Sequence, residues 1–138
     1  MLVEGAGIPV GLAVDGANRP DGKMVEETLN SIPVERPEAT SENPQGLCLD
    51  KAYVGDEVAE LAQEFHFTLH IPPKGKAAQQ VKRKARAKAR RWVVERTHSW
   101  MNRFRGILIR WNKKPENYMA MLHLTFAFII YGRMELIG

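Results

Sequence analysis

A chain of 138 residues with 44% apolar and 26% charged residues is long enough to bury one core and too short for two comfortable domains, and its composition excludes a disordered chain. Its single cysteine, Cys48, excludes a disulfide framework and any cysteine-built zinc site within the chain. The net charge of +4 conceals a segregation, since residues 1–73 hold four bases against thirteen acids and residues 74–114 hold fifteen bases against one acid; such a cationic block is the footprint of a face that meets a polyanion, usually nucleic acid.

The opening "MLVEGAGIPVGLAV" lacks the basic leader and small-residue cleavage pattern of a signal peptide, so it reads as mature structure. Its two apolar runs, separated by Gly5 and Gly7, suit antiparallel strands joined by a tight turn. "ANRPDGK" is a loop by composition, and Met24, Val25, Leu29 and Ile32 then recur at helical spacing. Prolines and glycines make a connecting segment of residues 33–46. "GLCLDKAY" has the look of a buried strand, Cys48 included, with Asp50 at its C-terminal tip. "GDEVAELAQEF" follows as an amphipathic helix with Val58, Leu61, Ala62 and Phe65 inward, and "FTLHIP" alternates as another strand closed by Pro72 and Pro73. Strand, helix, strand is a βαβ unit, so the sheet should be mixed, with this part parallel.

"KGKAAQQVKRKARAKAR" has no apolar stripe and reads as a mobile basic arm, over about 73–90, passing into a helix. From Ala85 to about Phe104 the helix is patterned by Trp92, Val93, Thr97, Trp100, Met101 and Phe104. A last helix runs from Pro115, suited to a first turn, to about Met134. Its apolar stretch over residues 119–132 is broken by His123 and is shorter than the roughly 20 residues of a membrane span, so it reads as a buried helix. A membrane surface is the alternative partner for the cationic block, but that block has no clean apolar face before Trp92. A cytosolic compartment is the default.

Within the cationic block one carboxylate stands alone, Glu95 in "RRWVVERTHSW". Arg91 lies one turn before it and His98, Ser99 and Asn102 follow on the same helical face. Taken singly, an acid at a strand tip such as Asp50 is more often a turn or cap residue, and Arg91 with Glu95 is more often a solvated helix pair. Asp15 and Asp21 share a turn-forming loop and are the less favoured carboxylates. His66, His70 and His123 have no ligand spacing and read as core or rim residues. Trp92, Trp100 and Trp111 read mostly as core or interface anchors, with a lesser chance that Trp111, beside Arg110, Lys113 and Lys114, touches DNA.

Together "GLAVDGANRPDGKM", "LCLDKAYVGDEVAELAQEFHFTLHIPPKG" and "RRWVVERTHSWMNRFRGILIRWNKKPENYMAMLHLTFAFII" resemble the C-terminal part of the catalytic domain of DDE transposases from bacterial insertion sequences. The resemblance implies an α/β, ribonuclease H-like fold, here incomplete, with a mixed sheet flanked by helices and further C-terminal helices. It implies that Asp50 stands at the second Asp of the family's triad and Glu95 at its Glu, and that both are catalytic and metal-holding, with Mg²⁺ or Mn²⁺ as cofactor. Hard carboxylate oxygens suit those ions, and two such ions can activate the attacking oxygen and stabilise the leaving one in phosphoryl transfer. Arg91 fits the family's signature; Lys88 stands where a Tyr is expected and Asn102 where a Lys is, leaving Arg103 or Arg105 to supply that cation. The expected DNA-binding residues are Lys82, Arg83, Lys84, Arg86, Lys88, Arg91, Arg103 and Arg105.

By the same resemblance residues 1–138 form the C-terminal part of the catalytic domain, with the first strand and its Asp missing upstream. A truncated element copy and the second frame of a frameshifted gene both fit. The partners implied are DNA, as element ends and target, the missing N-terminal half, and a second copy in the DNA complex; no membrane is implied, and the location is the bacterial cytoplasm, at the nucleoid. Three functions stand: a transposase half that cleaves and transfers strands only when joined to its missing half, a non-catalytic DNA-binding remnant, and an unrelated basic RNA-binding protein, which would want aromatics exposed on the sheet.

Overall fold

The structure, a computed structural model, describes residues 1–16, 18, 19, 21–72 and 91–137. The basic arm over 73–90, and with it Lys82, Arg83, Lys84, Arg86 and Lys88, lies outside the described residues, as do the side chains of Asp21 and Arg91. In chain order the elements are β1 (Leu2–Val3), β2 (Pro9–Gly11), α1 (Asp21–Asn30), β3 (Gly46–Cys48), a single 3-10 turn (Lys51–Tyr53), α2 (Asp56–Glu64), β4 (Thr68–His70), α3 (Arg91–Met101), α4 (Arg105–Leu108) and α5 (Pro115–Ile137). This mixture of short strand ladders and helices is the α/β architecture expected of a partial ribonuclease H-like domain.

β1 and β2 pair antiparallel, with Leu2 opposite Gly11 and Val3 opposite Pro9. Glu4 organises the turn between them. Its carboxylate Oε1 accepts from the N–H groups of Ala6 at 2.8 Å and Ile8 at 3.1 Å, while its own N–H donates to the Ile8 carbonyl at 3.0 Å. Gly7 closes the turn at φ +85°, a conformation that costs a side-chain-bearing residue energy and glycine almost none. β2 is fastened to the end of α1 through Ser31, whose hydroxyl donates to the Thr28 carbonyl and accepts from the Leu12 N–H, both at 2.7 Å.

The βαβ unit is present as the sequence pattern predicts. β3 and β4 run parallel, Leu47 opposite Leu69, with α2 as the crossover. Among the described residues the two pairs are separate ladders. α2 buries Val58 and Ala62 and stops at a left-handed cap. His66 adopts φ 57°, its N–H donates to the Gln63 carbonyl at 2.9 Å, and the Phe67 N–H returns to Ala62 at 2.7 Å, which satisfies carbonyls that the helix end would orphan. The connection before β3 is tied down by Arg36, which donates to Gln45 Oε1 at 2.9 Å and the Phe65 carbonyl at 2.8 Å and lies 4.1 Å from the Phe67 ring centre.

Two apolar clusters result. One joins Val25 and Leu29 of α1, Leu47 of β3 and Ala62 of α2. The other joins Leu12 to Met101, Ile107, Leu122, Phe126 and Ile129, so it draws on both ends of the chain. Three expectations change here. Cys48 is exposed, because β3 alternates and only Leu47 points inward; the run had the composition of a strand covered on both faces but is covered on one. α5 buries Leu122, Thr125, Phe126 and Ile129 on one side, while Leu124, Phe128 and Tyr131 are exposed, so an apolar composition all round conceals a one-sided helix. Trp111 is not a core anchor but is 78% exposed. Among the described residues no helix is long and apolar enough to cross a membrane.

Candidate functional site

Asp50 follows β3 by two residues and caps the 3-10 turn, its Oδ1 accepting from the Lys51 N–H. The cap reading of this acid therefore holds at the level of local structure, and it leaves the carboxylate exposed. Capping with a side-chain oxygen satisfies an orphan N–H and fixes the carboxylate's direction at the end of the strand.

Glu95 is exposed on α3, and its position depends on the two residues after it. Thr97 is wholly buried; its hydroxyl donates to the Gly7 carbonyl at 2.5 Å, with the Val93 carbonyl 3.2 Å away. Arg96 donates through Nη2 to the Ala6 carbonyl. Adjacent side chains of α3 thus hold adjacent carbonyls of the β1–β2 turn, and Gly7 leaves room for them: a Cβ there would lie 3.0 Å from Arg96 Nη2 and 3.2 Å from Thr97 Oγ1. The guanidinium of Arg96 lies between two rings of its own helix, 4.6 Å from the centre of Trp92 and 5.2 Å from that of Trp100, and Arg133 of α5 covers Trp100 at 4.1 Å. Arg96 Nε is buried without a hydrogen-bond partner, so the cation is held by its ring contacts and the single Ala6 bond. With residues 96 and 97 turned to the hairpin, Glu95 faces outward.

This latch was not legible beforehand. Thr97 belongs to the apolar stripe of the helix, but its partner, a carbonyl 90 residues away, has no sequence signal. Arg96 did carry one, since Trp92 and Trp100 stand one helical turn to either side, the spacing at which an arginine meets a ring.

The remaining candidates separate. Asp15 is engaged by Arg19, whose guanidinium also reaches Glu27, both at 2.5 Å. The hydrogen bond from Arg19 and then that from the Gly16 N–H hold the Asp15 carboxyl below its ordinary value, and the Arg19 pKa is raised in turn. Arg103 and Arg105 are exposed, as is Asn102. His66, His70 and His123 are exposed, rim residues rather than core ones. Among the described residues no three His, Cys, Asp or Glu form a group that could hold a metal ion. The carboxylates of Asp50 and Glu95 are of the chemistry that suits Mg²⁺ or Mn²⁺, hard ions that take carboxylate oxygens and retain water.

Comparison with known proteins bears on the span that holds both acids. The family model described as a transposase DDE domain matches residues 47–132. Over 45 residues the chain is 38% identical to a putative transposase for insertion sequence element IS402 of Burkholderia cepacia. That stretch is 33% of this chain and 21% of the relative, so the chain covers about a fifth of that protein's length. No solved structure matches the chain significantly. The family match takes in β3, Asp50, the βαβ unit, Glu95 on α3 and most of α5, well over half of the molecule, and the chain belongs to the transposase DDE domain family.

Proposed function

We propose that this chain is the C-terminal part of a transposase catalytic domain that cleaves and transfers DNA strands at insertion-sequence ends once joined to an upstream half. The observation that carries the reading is Glu95. It is the one acid in the sequence among the fifteen bases of residues 74–114, and it is exposed on α3 directly before the Arg96–Thr97 latch. Its exposure on α3 and the family match around it support a ligand role. Asp50 and Glu95 are the residues that would hold Mg²⁺ or Mn²⁺. When bound, such ions supply Lewis-acid stabilisation of the attacking and leaving oxygens in phosphoryl transfer. In this reading the bed for the phosphate backbone comes from Lys82, Arg83, Lys84, Arg86 and Lys88 of the arm, from Arg91 one turn before Glu95 in sequence, and from Arg103 and Arg105 after it.

In this reading the first Asp of the triad lies on an upstream strand, and each ladder has an edge to which a further strand can pair. The chain alone does not cut or join DNA ends. Supplying the upstream half, fused in frame or in trans, restores metal-dependent cleavage, and Glu95→Gln abolishes it. Cleavage by the isolated chain equal to that of the joined form would overturn the assignment and make Asp15 or Asp21 the next residue to change. A joined form that binds DNA but never cleaves it would make the chain a non-catalytic DNA-binding remnant. Mn²⁺ titration tests the ligands directly: weak binding by the parent should fall in Asp50→Asn and Glu95→Gln, and equal binding by all three would mean that the carboxylates do not converge. Phosphate neutralisation by the five arm residues predicts a log–log salt slope of about −4 to −5 for DNA affinity. Their replacement by Gln should flatten it.

A further inference from the structure

Trp111, at 78% exposure, is the most exposed of the large apolar side chains among the described residues. Its setting differs from that of the other two tryptophans. Trp92 and Trp100 are each covered by a guanidinium, and the remaining cation–ring contacts among the described residues fall on Phe67 and Tyr118. The indole of Trp111 carries none.

The loop that bears it is nonetheless fastened. On its near side the Ile109 N–H donates to the Arg105 carbonyl at 3.1 Å and ends α4. Arg110 folds back, its Nε 3.4 Å from the Asn112 carbonyl and its guanidinium 5.0 Å from the centre of the Tyr118 ring on α5. On the far side the Tyr118 N–H donates to the Lys114 carbonyl at 3.3 Å. Arg110 is therefore turned to Asn112 and Tyr118 while the neighbouring indole stays exposed, and Lys113 and Lys114, two and three residues on, and Arg105 at the start of α4 are exposed as well. No acid occurs in the sequence between Glu95 and Glu116.

We propose that Trp111 is a stacking platform for an unpaired base of a DNA strand whose phosphates meet Arg105, Lys113 and Lys114. The charge selects a polyanion, and the bare aromatic face selects one that can offer a π-surface. In an intact duplex base faces are covered by their neighbours, so only a single-stranded, frayed or extruded base can reach the indole. The inference rests on the DNA-binding reading above and adds to it a preference for unpaired strand at this loop.

The test uses the full chain, a short oligothymidylate and a blunt duplex of equal length. Binding of the single strand should quench tryptophan emission. Trp111→Ala should abolish that quench and weaken single-strand affinity by about 5- to 150-fold, with duplex affinity unchanged by fluorescence anisotropy; Trp111→Phe should retain part of the affinity. If the parent binds both DNAs and Trp111→Ala binds the single strand equally well, the platform is wrong and the DNA reading survives. If the parent binds neither, both fall. Self-association that is lost in Trp111→Ala while single-strand binding persists would assign the indole to a protein contact and overturn the proposal.

Discussion

Replacing Thr97 by Val tests whether the latch between α3 and the β1–β2 turn holds the fold. The substitution keeps the branched shape and comparable helix propensity, and it removes one hydroxyl from a fully buried site. Gly7, whose carbonyl accepts from that hydroxyl at 2.5 Å, is buried too, and no water can take the hydroxyl's place without opening the packing. The loss is then more than the roughly 1 kcal/mol net worth of a hydrogen bond, because a buried acceptor left without a partner costs about 1–3 kcal/mol. A central figure of about 2 kcal/mol, with an unfolding entropy of about 2.1 cal/mol/K per residue, lowers Tm by roughly 7 °C for a chain of this size. Thr97→Ser keeps the donor and loses one methyl group, worth about 0.8 kcal/mol, or roughly 3 °C. Thermal unfolding followed by circular dichroism separates the two variants. If Val is as stable as the parent, or Ser is the worse of the pair, then packing of the methyl and not the hydrogen bond joins helix to hairpin.

Other consequences can be measured in the same way. Gly7→Ala puts a Cβ at φ +85° and 3.0 Å from Arg96 Nη2, so it should destabilise by about 1–3 kcal/mol, read as a lower urea midpoint. His66→Gly relieves a left-handed residue at φ 57° and should stabilise by about 0.5–1 kcal/mol at the α2 cap, read as a higher midpoint with an unchanged m-value. The lowered Asp15 pKa has a definite sign: its contribution is present above the ordinary value of 3.8 and is lost as pH falls through the lower folded value. Asp15→Asn should therefore flatten the acid limb of the stability profile below about pH 4, leaving the profile near neutrality parallel to that of the parent.

The sequence revealed most where a single periodicity governed. The βαβ unit was readable because Val58 and Ala62 repeat at helical spacing between two short apolar runs, and α5 because Pro115 marks its start. Which side of an element is covered was not readable. Cys48 and Leu47 look equivalent in "GLCL", and Leu122 and Leu124 look equivalent in α5, yet one of each pair is buried and the other exposed, because the choice is made by what packs against the element. The same holds for the site. Glu95 is conspicuous by charge, whereas the residues that fasten its helix, Arg96 and Thr97, act through carbonyls of a turn distant in sequence, and every residue possesses a carbonyl.

The latch also orders events during synthesis. Its two halves are 90 residues apart, and at about 5–20 residues per second the ribosome needs roughly 5–18 s to make the second after the first. The cluster of Val25, Leu29, Leu47 and Ala62 draws only on chain already made by then and can form while translation continues. The Leu12 N–H can already meet Ser31, but the Leu12 side chain packs among residues 101–129 and the Ala6 and Gly7 carbonyls accept from residues 96 and 97. The β1–β2 turn must therefore wait for Arg96 and Thr97, and the Leu12 side chain for α5 behind them, so this turn is secured later than the strands it joins.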